Sequence, residues 1–274
     1  MKRKILIFGK GFIGSRLKED LGCGISGAKI RKYEDAQREI DKYRPDIIIN
    51  CIGSIGRNVD DCELDKDRSL EANTFVPIIL AEAAIRNKIR FVHISSGCIY
   101  HYDYKKSKPV AEERAPDFFE LFYSRTKIYS EQVLNALSAR YPFLIIRLRV
   151  PLDNRKGPKN LLTKLLSFRN IIDLPNSVTY IPDFVKAVKH LIKIKARGIY
   201  NVANKGALRY PKLLDVYSKF VPGFKYRVVE FRQLNLVRTN LVLSVKKLEK
   251  SGFKVRRVQD VLDECVRGYL NDKE

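Results

Sequence analysis

Hydrophobic and polar positions follow two different patterns, which alternate along the chain. Short runs of consecutive apolar residues predict buried strands, and longer segments with apolar residues at helical spacing predict amphipathic helices. The predicted strands are Lys4–Phe8, Asp46–Cys51, Arg90–Ser95, Phe143–Val150 and Gly198–Val202. The predicted helices between and beside them are Phe12–Leu21, Ala36–Tyr43, Ser69–Asn87, Phe122–Ala139 and Pro182–Lys195. Apolar strands alternating with helices predict an α/β fold with a doubly wound parallel sheet.

Two stretches depart from this alternation. The second strand, expected within Cys23–Ile30, is rich in glycine and only faintly apolar. After Pro151 the chain enters a loop of glycine, proline and charged residues, followed by a helix around Asn160–Phe168 and the irregular stretch Ile172–Ile181. The change predicts a smaller C-terminal lobe that begins near residue 151.

A glycine-rich loop follows the first predicted strand. It reads Gly9-Lys10-Gly11-Phe12-Ile13-Gly14 and leads directly into a helix, so Gly-x-Gly-x-x-Gly stands in the strand, loop and helix context of a dinucleotide site. Gly9 would permit the tight turn, Gly11 the approach of a pyrophosphate, and Gly14 close packing of helix on strand. Residues 1–150 are therefore predicted to form a Rossmann-type dinucleotide-binding domain, to which 182–202 return, while 151–274 mostly form a substrate-binding lobe.

The end of the weak second strand bears on the choice of dinucleotide. Lys29 and Arg31 lie there, and no acid is clearly placed to bind a ribose 2′-hydroxyl, which favours NADP. Asp35 could instead be the acid that meets the adenosine moiety, so NAD remains the alternative. Either cofactor would also contact Phe12 and Ile13 in the loop.

Composition narrows the class of protein. Hydrophobic residues make up 45% of the 274 residues, enough for a full-sized core, and no apolar run approaches the roughly 20 residues that cross a bilayer. The five cysteines are odd in number and widely spaced, which argues against a disulfide framework and a metal site. A soluble, cytoplasmic protein that does not associate with membranes is expected, since no export signal follows the basic N-terminus.

The charge balance raises a second class of function. Lys and Arg number 53 against 31 Asp and Glu, a net charge of +22. These basic residues are scattered through the chain, and no common nucleic-acid-binding motif is visible, which argues against nucleic acid as a partner. A non-enzymatic protein that senses dinucleotides or associates with nucleic acid is nevertheless kept as an alternative.

Three side chains suggest hydride-transfer chemistry. Tyr123 and Lys127 stand four residues apart on one face of a predicted helix, where the lysine cation would lower the pKa of the phenol. Ser96 follows a predicted strand, so its hydroxyl would lie at the carboxyl edge of the sheet, where ligands bind. His93, inside an apolar strand, and His190, on a helix face, are interpreted as structural.

These motifs together resemble those of the extended short-chain dehydrogenase/reductases, the NAD-dependent epimerase/dehydratase family. The matching segments are Gly9–Gly14, Asn50–Gly53, Asn73, Ser95–Gly97 and Tyr123–Lys127. A narrower similarity, to the nucleotide-rhamnose 3,5-epimerase/4-reductase and dTDP-4-dehydrorhamnose reductase group, rests on Asn58–Glu63, Gly97–Tyr100, Arg147–Pro151, Pro158–Lys164 and Ile172–Ser177.

The resemblance implies an enzyme that reduces a UDP- or dTDP-linked 4-keto-6-deoxyhexose with NADPH. Ser96 and Tyr123 would bind the keto oxygen, and Lys127 would hold the cofactor ribose. Cys98 and Lys164 match the family's acid and base for 3,5-epimerisation. Further residues implied are Cys51, Ile52, Gly53 and Asn73 at the cofactor, and Gly97, Asn160 and Asn176 at the substrate. A 4-keto reductase or epimerase without the bifunctional activity is the alternative within this class, and a homodimer is the expected assembly.

Overall fold

The computed structural model describes residues 3–234 and 236–272. The chain divides into two compact units. The first comprises Met1–Ile99, Pro116–Arg147 and Lys189–Tyr200, and the second comprises Tyr100–Ala115, Leu148–Val188 and Asn201–Glu274. Residues 100–115 thus belong to the second unit, although the sequence-based division placed them in the first. The dinucleotide and substrate roles of the units remain predictions.

A six-stranded sheet forms the centre of the first unit. Its strands are β1 (Ile5–Phe8), β2 (Gly24–Ser26), β3 (Ile47–Asn50), β4 (Arg90–Ser96), β5 (Phe143–Leu148) and β9 (Gly198–Asn201), in the spatial order β2-β1-β3-β4-β5-β9. The strand pairs β1·β2, β1·β3 and β3·β4 are parallel. The predicted α/β fold with a doubly wound sheet is confirmed. Since β2 and β3 lie on opposite sides of β1, the carboxyl ends of β1 and β3 form a topological switch point, where such sheets bind ligands.

Helices flank this sheet. They are α1 (Phe12–Leu21), α2 (Tyr33–Tyr43), α3 (Asp61–Leu64), α4 (Lys66–Leu70), α5 (Val76–Arg86) and α6 (Phe122–Ser138), with a π-helical turn at Glu71–Phe75 between α4 and α5. The core between helices and sheet is aliphatic and aromatic, and Phe91 meets Phe143 edge to face with ring centroids 5.3 Å apart. Every residue of β3 and β4 is buried, as expected of parallel strands covered on both faces.

The second unit has its own core and two small parallel sheets. Its strands are β6 (Pro151–Leu152), β7 (Asn170–Ile172), β8 (Thr179–Tyr180) and β10 (Arg227–Val229), paired as β6·β8 and β7·β10. Its helices are α7 (Leu161–Leu166), α9 (Tyr210–Phe220), α10 (Lys246–Lys250) and α11 (Leu262–Asn271), and α8 (Ile181–Lys193) contributes residues to both units. Short 3₁₀ turns lie at Phe231–Leu234 and Gln259–Val261. The core consists mainly of leucines and valines, contributed by α7, α9, α11 and the segments between them.

Candidate active site

The glycine loop forms an open cradle at the end of β1. Gly9 has a φ of +104°, and a Cβ there would lie 2.8 Å from the backbone nitrogen of Ile52. A Cβ on Gly14 would lie 1.9 Å from the carbonyl oxygen of Gly9. Gly11 has nothing within 4 Å of its Cβ position, which leaves its backbone accessible at the N-terminus of α1. These environments match the separate requirements of the dinucleotide motif: a tight turn, an open approach and close packing.

A cleft of about 1040 Å³ lies beside the cradle. Its lining includes Gly9, Lys10, Gly27, Ala28, Lys29, Ile30, Ile52, Asp65, Asp67, Arg68, Leu70, Glu71, Ala72, Phe75 and Val76. Lys10 lies across the end of β2, with its Cε 2.7 Å from the position that a Cβ on Gly27 would take. Lys10 and Lys29 are both exposed, so two ammonium groups are available to an anion in this cleft. The position of Lys10 inside the glycine motif could have indicated this role. The sequence-based prediction did not include Lys10 among the cofactor-binding residues.

Asp35 is engaged by the protein itself. Its Oδ2 accepts the backbone N–H groups of Arg31 and Lys32 at 2.9 and 3.1 Å, and its Oδ1 pairs with Arg38. The N–H of Arg31 is the largest of the influences that lower the pKa of this carboxyl. Asp35 therefore stabilises the first turn of α2. The Arg31 guanidinium lies 3.7 Å from Glu71, one of the residues that line the cleft.

The loop after β3 connects the cradle with the predicted catalytic lysine. Asn73, in the π-helical turn, accepts the N–H of Ser54 at 2.9 Å and donates to the Ser54 carbonyl at 2.8 Å. A Cβ on Gly53 would lie 3.2 Å from Asn73 Oδ1 and 3.4 Å from Lys127 Nζ. The structure thus brings Gly53, Asn73 and Lys127, all predicted to bind the cofactor, to one place.

Lys127 is buried and its charge is costly. Only 5% of the residue is exposed, and burial lowers its pKa to about 8, opposed in part by the carboxylate of Glu131. Tyr123, one turn earlier on α6, is 8% exposed. The phenol and the ammonium therefore occupy a largely desolvated stretch of one helix face, where a neighbouring charge acts more strongly than in water.

Ser96 and Cys98 lie at the carboxyl end of β4. Ser96 Oγ accepts the N–H of Cys98 at 3.1 Å, which leaves the hydroxyl hydrogen of Ser96 to be donated elsewhere. Ser124, between the predicted catalytic residues of α6, donates its hydroxyl to the Cys98 carbonyl at 2.5 Å. This bond ties the β4 end, including Gly97, to the first turn of α6. The Cys98 side chain is half-buried.

A buried ion pair also holds α6 in place. Glu131 lies one turn after Lys127, and both of its carboxylate oxygens accept hydrogen bonds from Arg147 of β5. Ser95 donates its hydroxyl to Glu131 at 2.8 Å. The Glu131 and Arg147 side chains are only 3% and 1% exposed. Sequence reasoning assigned no role to this pair, which unites residues far apart in the chain.

The remaining predicted residues lie in the second unit. Lys164 is half-buried on α7, and its pKa is lowered by burial and by the charges of Lys159 and Arg238. Asn160 caps α7: its Oδ1 accepts the N–H groups of Asp153 and Leu162, and its Nδ2 donates to two loop carbonyls.

Asn176 is similarly occupied. It accepts from Arg149 Nε at 3.1 Å and from the Leu241 N–H at 3.3 Å, and it donates to Tyr210 and Asn240. With both oxygen lone pairs and both amide hydrogens used, neither Asn160 nor Asn176 has hydrogen-bonding capacity left. Their predicted contact with substrate stays a prediction, and the structure gives them a role in fixing loops.

Among the described residues there is neither a metal-binding cluster nor a membrane-spanning helix. Within 3–234 and 236–272, no group of three or more His, Cys, Asp and Glu side chains is arranged to hold a metal ion. In the same ranges no helix has the length and apolar character needed to span a bilayer.

Comparison with known proteins identifies the family. Residues 3–210 match the sequence profile of the RmlD substrate-binding domain. The chain belongs to this family. A relative from Arabidopsis thaliana, the trifunctional UDP-glucose 4,6-dehydratase/UDP-4-keto-6-deoxy-D-glucose 3,5-epimerase/UDP-4-keto-L-rhamnose-reductase, is 30% identical over 236 residues, which are 81% of this chain and 35% of that protein. The chain thus spans about a third of the length of this relative.

Other relatives are matched over more of their length. The bifunctional dTDP-4-dehydrorhamnose 3,5-epimerase/dTDP-4-dehydrorhamnose reductase of the same plant is 27% identical over 81% of this chain and 77% of that protein. Among solved structures, the L780 UDP-rhamnose synthase from Acanthamoeba polyphaga mimivirus is 26% identical, with a TM-score of 0.88 over 97% of this chain and 99% of that one. A dTDP-4-dehydrorhamnose reductase from Bacillus anthracis, in complex with NADP, shares the fold at 19% identity, with a TM-score of 0.82 over 98% and 99% of the two chains.

Proposed function

We propose that this protein is an NADPH-dependent reductase of a UDP- or dTDP-linked 4-keto-6-deoxyhexose, and that it also epimerises C3 and C5 to give a rhamnose-type sugar. The observation that carries the proposal is the burial of Tyr123 and Lys127 on one face of α6, in the unit that holds the glycine cradle. The activities of the plant and mimivirus relatives support the choice of substrate.

The cofactor fits the residues present. Gly11 leaves room for a pyrophosphate at the N-terminus of α1, and Lys10 and Lys29 supply positive charge where a 2′-phosphate would be bound. Asp35 accepts hydrogen bonds from the backbone at the start of α2 and is therefore not available to bind the cofactor ribose, a contact that would favour NAD. NADPH, when bound, supplies the hydride for C4.

Reduction also requires a proton for the sugar oxygen. Ser96 can donate its free hydroxyl hydrogen to the keto oxygen at C4, because Oγ already accepts from Cys98. As negative charge develops on that oxygen, Tyr123 would transfer its phenolic proton to it. The Lys127 ammonium stabilises the resulting phenolate, and its location beside Gly53 suits it to hold the cofactor ribose as well.

Epimerisation uses the same polarised carbonyl. A C4 ketone acidifies the hydrogens on C3 and C5, so a base can remove either proton to form an enolate and an acid can return a proton to the opposite face. We assign these two roles to Cys98 and Lys164, without specifying which serves which carbon. The lowered pKa of Lys164 increases the fraction of neutral amine that can act as a base.

The decisive experiment offers the purified protein UDP- or dTDP-4-keto-6-deoxyglucose with NADPH or NADH. We expect faster oxidation of NADPH and a rhamnose-type product. A product that retains the substrate configuration at C3 and C5 would support the reductase without epimerase activity. No oxidation of either cofactor with either sugar, together with salt-sensitive binding of RNA or DNA, would favour the non-enzymatic alternative.

Tyr123→Phe is the matched test of the site. It removes one hydroxyl from α6, and we expect it to reduce turnover at least about a hundredfold while NADPH still binds. Normal turnover in this variant would remove Tyr123 from the mechanism.

Two further predictions accompany the activity. None of the five cysteines, all of which lie within the described residues, forms a disulfide, which suits a protein working in the reducing cytoplasm. The expected homodimer would use the apolar side chains Tyr129 and Val133, which are 42% and 40% exposed on α6. Light scattering in solution measures the assembly directly.

A further inference from the structure

A buried pair of polar side chains links two central strands of the sheet. Asn50 of β3 and His93 of β4 are directly opposite in the strand register, and neither has any exposed surface. Asn50 Nδ2 lies 3.1 Å from His93 Nδ1. Their immediate neighbours in the two strands, Ile49, Val92 and Ile94, are apolar, so an amide and an imidazole at this place need a specific explanation.

The hydrogen bonds of Asn50 determine the tautomer of His93. Asn50 Oδ1 accepts the N–H of Ile52 at 2.9 Å, so the amide nitrogen is the atom that faces the imidazole. An amide nitrogen only donates, and His93 Nδ1 must therefore accept, which leaves the imidazole proton on Nε2. Burial and the nearby Lys127 ammonium lower the pKa of His93 well below its ordinary value, which favours this neutral form. Nε2 has no hydrogen-bond partner within the described part of the chain.

The Cys51–Ile52 peptide lies between this pair and the glycine loop. The N–H of Cys51 donates to the Phe8 carbonyl at 2.8 Å, just before the loop begins. A Cβ on Gly9 would lie 2.8 Å from the Ile52 nitrogen and 2.9 Å from the Cys51 carbonyl carbon. With so little space between them, a displacement of this peptide would displace the glycine cradle too.

We propose that His93 is a positioning residue: as the Nε2–H tautomer it orients the Asn50 amide, which holds the Cys51–Ile52 peptide against the glycine loop and so sets the geometry of the dinucleotide cradle. The effect on the peptide is a property of the fold. The effect on cofactor affinity rests on the proposed function.

Two substitutions at position 93 separate this role from simple packing. In His93→Asn, the Oδ1 atom of the new side chain is the same number of bonds from Cα as Nδ1 of histidine. An acceptor for Asn50 Nδ2 is therefore retained, although side-chain volume is lost. In His93→Phe, a flat ring of similar size is retained but the acceptor is lost. Positioning predicts that His93→Phe is the more damaging change, whereas a packing role predicts that the smaller asparagine is worse.

The first measurement needs no ligand. Nitrogen-15 NMR of the wild type should show His93 with Nδ1 unprotonated and Nε2 protonated, its signals identified by their loss in His93→Asn. Hydrogen exchange at the Ile52 amide should be about tenfold faster in His93→Phe than in wild type and within about threefold of wild type in His93→Asn. A protonated Nδ1, or slower exchange in His93→Phe than in His93→Asn, would overturn the proposal.

The second measurement is NADPH binding. We expect the dissociation constant to rise about tenfold in His93→Phe and to stay within about threefold of wild type in His93→Asn, with kcat at saturating cofactor changed less than KM in both. The reverse order of the two variants would refute the positioning role. A wild type that binds no dinucleotide would refute the proposed function alone, and the Ile52 exchange rates would then decide whether His93 positions the peptide.

Discussion

Replacing Lys127 with methionine should stabilise the protein while it removes activity. The lysine is 5% exposed, and its pKa is lowered to about 8 because burial penalises the ammonium form. Methionine is a flexible apolar side chain that tolerates such surroundings and carries no charge to desolvate. Catalysis should fall sharply in the variant, since the cation proposed to stabilise the Tyr123 phenolate and to hold the ribose is lost.

The magnitude follows from the pKa of Lys127. A fall from its ordinary value of 10.5 to about 8 corresponds to about 3.5 kcal/mol, at about 1.4 kcal/mol for each pKa unit. The folded state binds this proton less tightly than the unfolded chain, so the lysine destabilises the fold fully below about pH 8. The penalty is relieved as the pH rises from about 8 towards 10.5, where both states lose the proton. At neutral pH, the free energy of unfolding of Lys127→Met should thus exceed that of wild type by an amount approaching about 3.5 kcal/mol, reduced by any favourable contacts of the ammonium that the substitution removes. This difference should decline above about pH 8.

Urea unfolding of both proteins from about pH 7 to about pH 10 measures this difference. Other groups that titrate in this range cancel, because they are present in both proteins. Lys189→Met, the same substitution at an exposed lysine of α8, is the control and should change the free energy of unfolding by no more than about 0.5 kcal/mol at any pH. A Lys127→Met protein that is less stable than wild type at neutral pH, or whose advantage does not change with pH, would refute the reasoning.

Three further predictions concern separate parts of the structure. Cys98→Ala should slow exchange of solvent deuterium into C3 and C5 of the keto-sugar at least about tenfold while reduction at C4 continues, and undiminished exchange would contradict its assigned role. Replacing Lys10 and Lys29 together with serine should raise the KM for NADPH about tenfold or more and leave that for NADH almost unchanged; equal effects would mean that neither contacts the 2′-phosphate. Arg147→Met should lower the free energy of unfolding by about 3 to 5 kcal/mol, because it leaves the Glu131 carboxylate buried without its cation, whereas a change below about 1 kcal/mol in chemical denaturation would show that the pair is dispensable.

The fold of the first unit was largely predictable because its signals are local. The strands β1, β3, β5 and β9 lie within the predicted apolar runs and β4 extends one residue beyond its run, to Ser96, since consecutive apolar residues mark a strand that is buried on both faces. The predicted helix Ser69–Asn87 is wrong in one respect: it consists of the end of α4, a π-helical turn and α5. That turn places Asn73 against the backbone of Ser54. The spacing of apolar residues gives no signal for this contact.

The candidate site likewise combines residues that local sequence spacing predicts with contacts that it does not predict. Gly9–Gly14 and the Tyr123–Lys127 pair are spacings within one loop or one helix turn, so sequence alone indicates which residues share a place. The Glu131–Arg147 ion pair depends on α6 packing on β5, and the position of Lys10 over Gly27 depends on a side-chain direction. Such contacts form only after the elements have packed.

The polar residues inside apolar strands offered a signal that could have been read further. Asn50 ends a run of three isoleucines, and His93 lies between Val92 and Ile94, so a simple strand would bury each at a cost. A polar group buried in a strand has a partner, and Asn50 is the last residue of β3, at the edge of a doubly wound sheet that borders the ligand site. The sequence could therefore indicate that each of these residues has a buried polar partner. Only the strand register, which places the two side by side, shows that they are partners of each other.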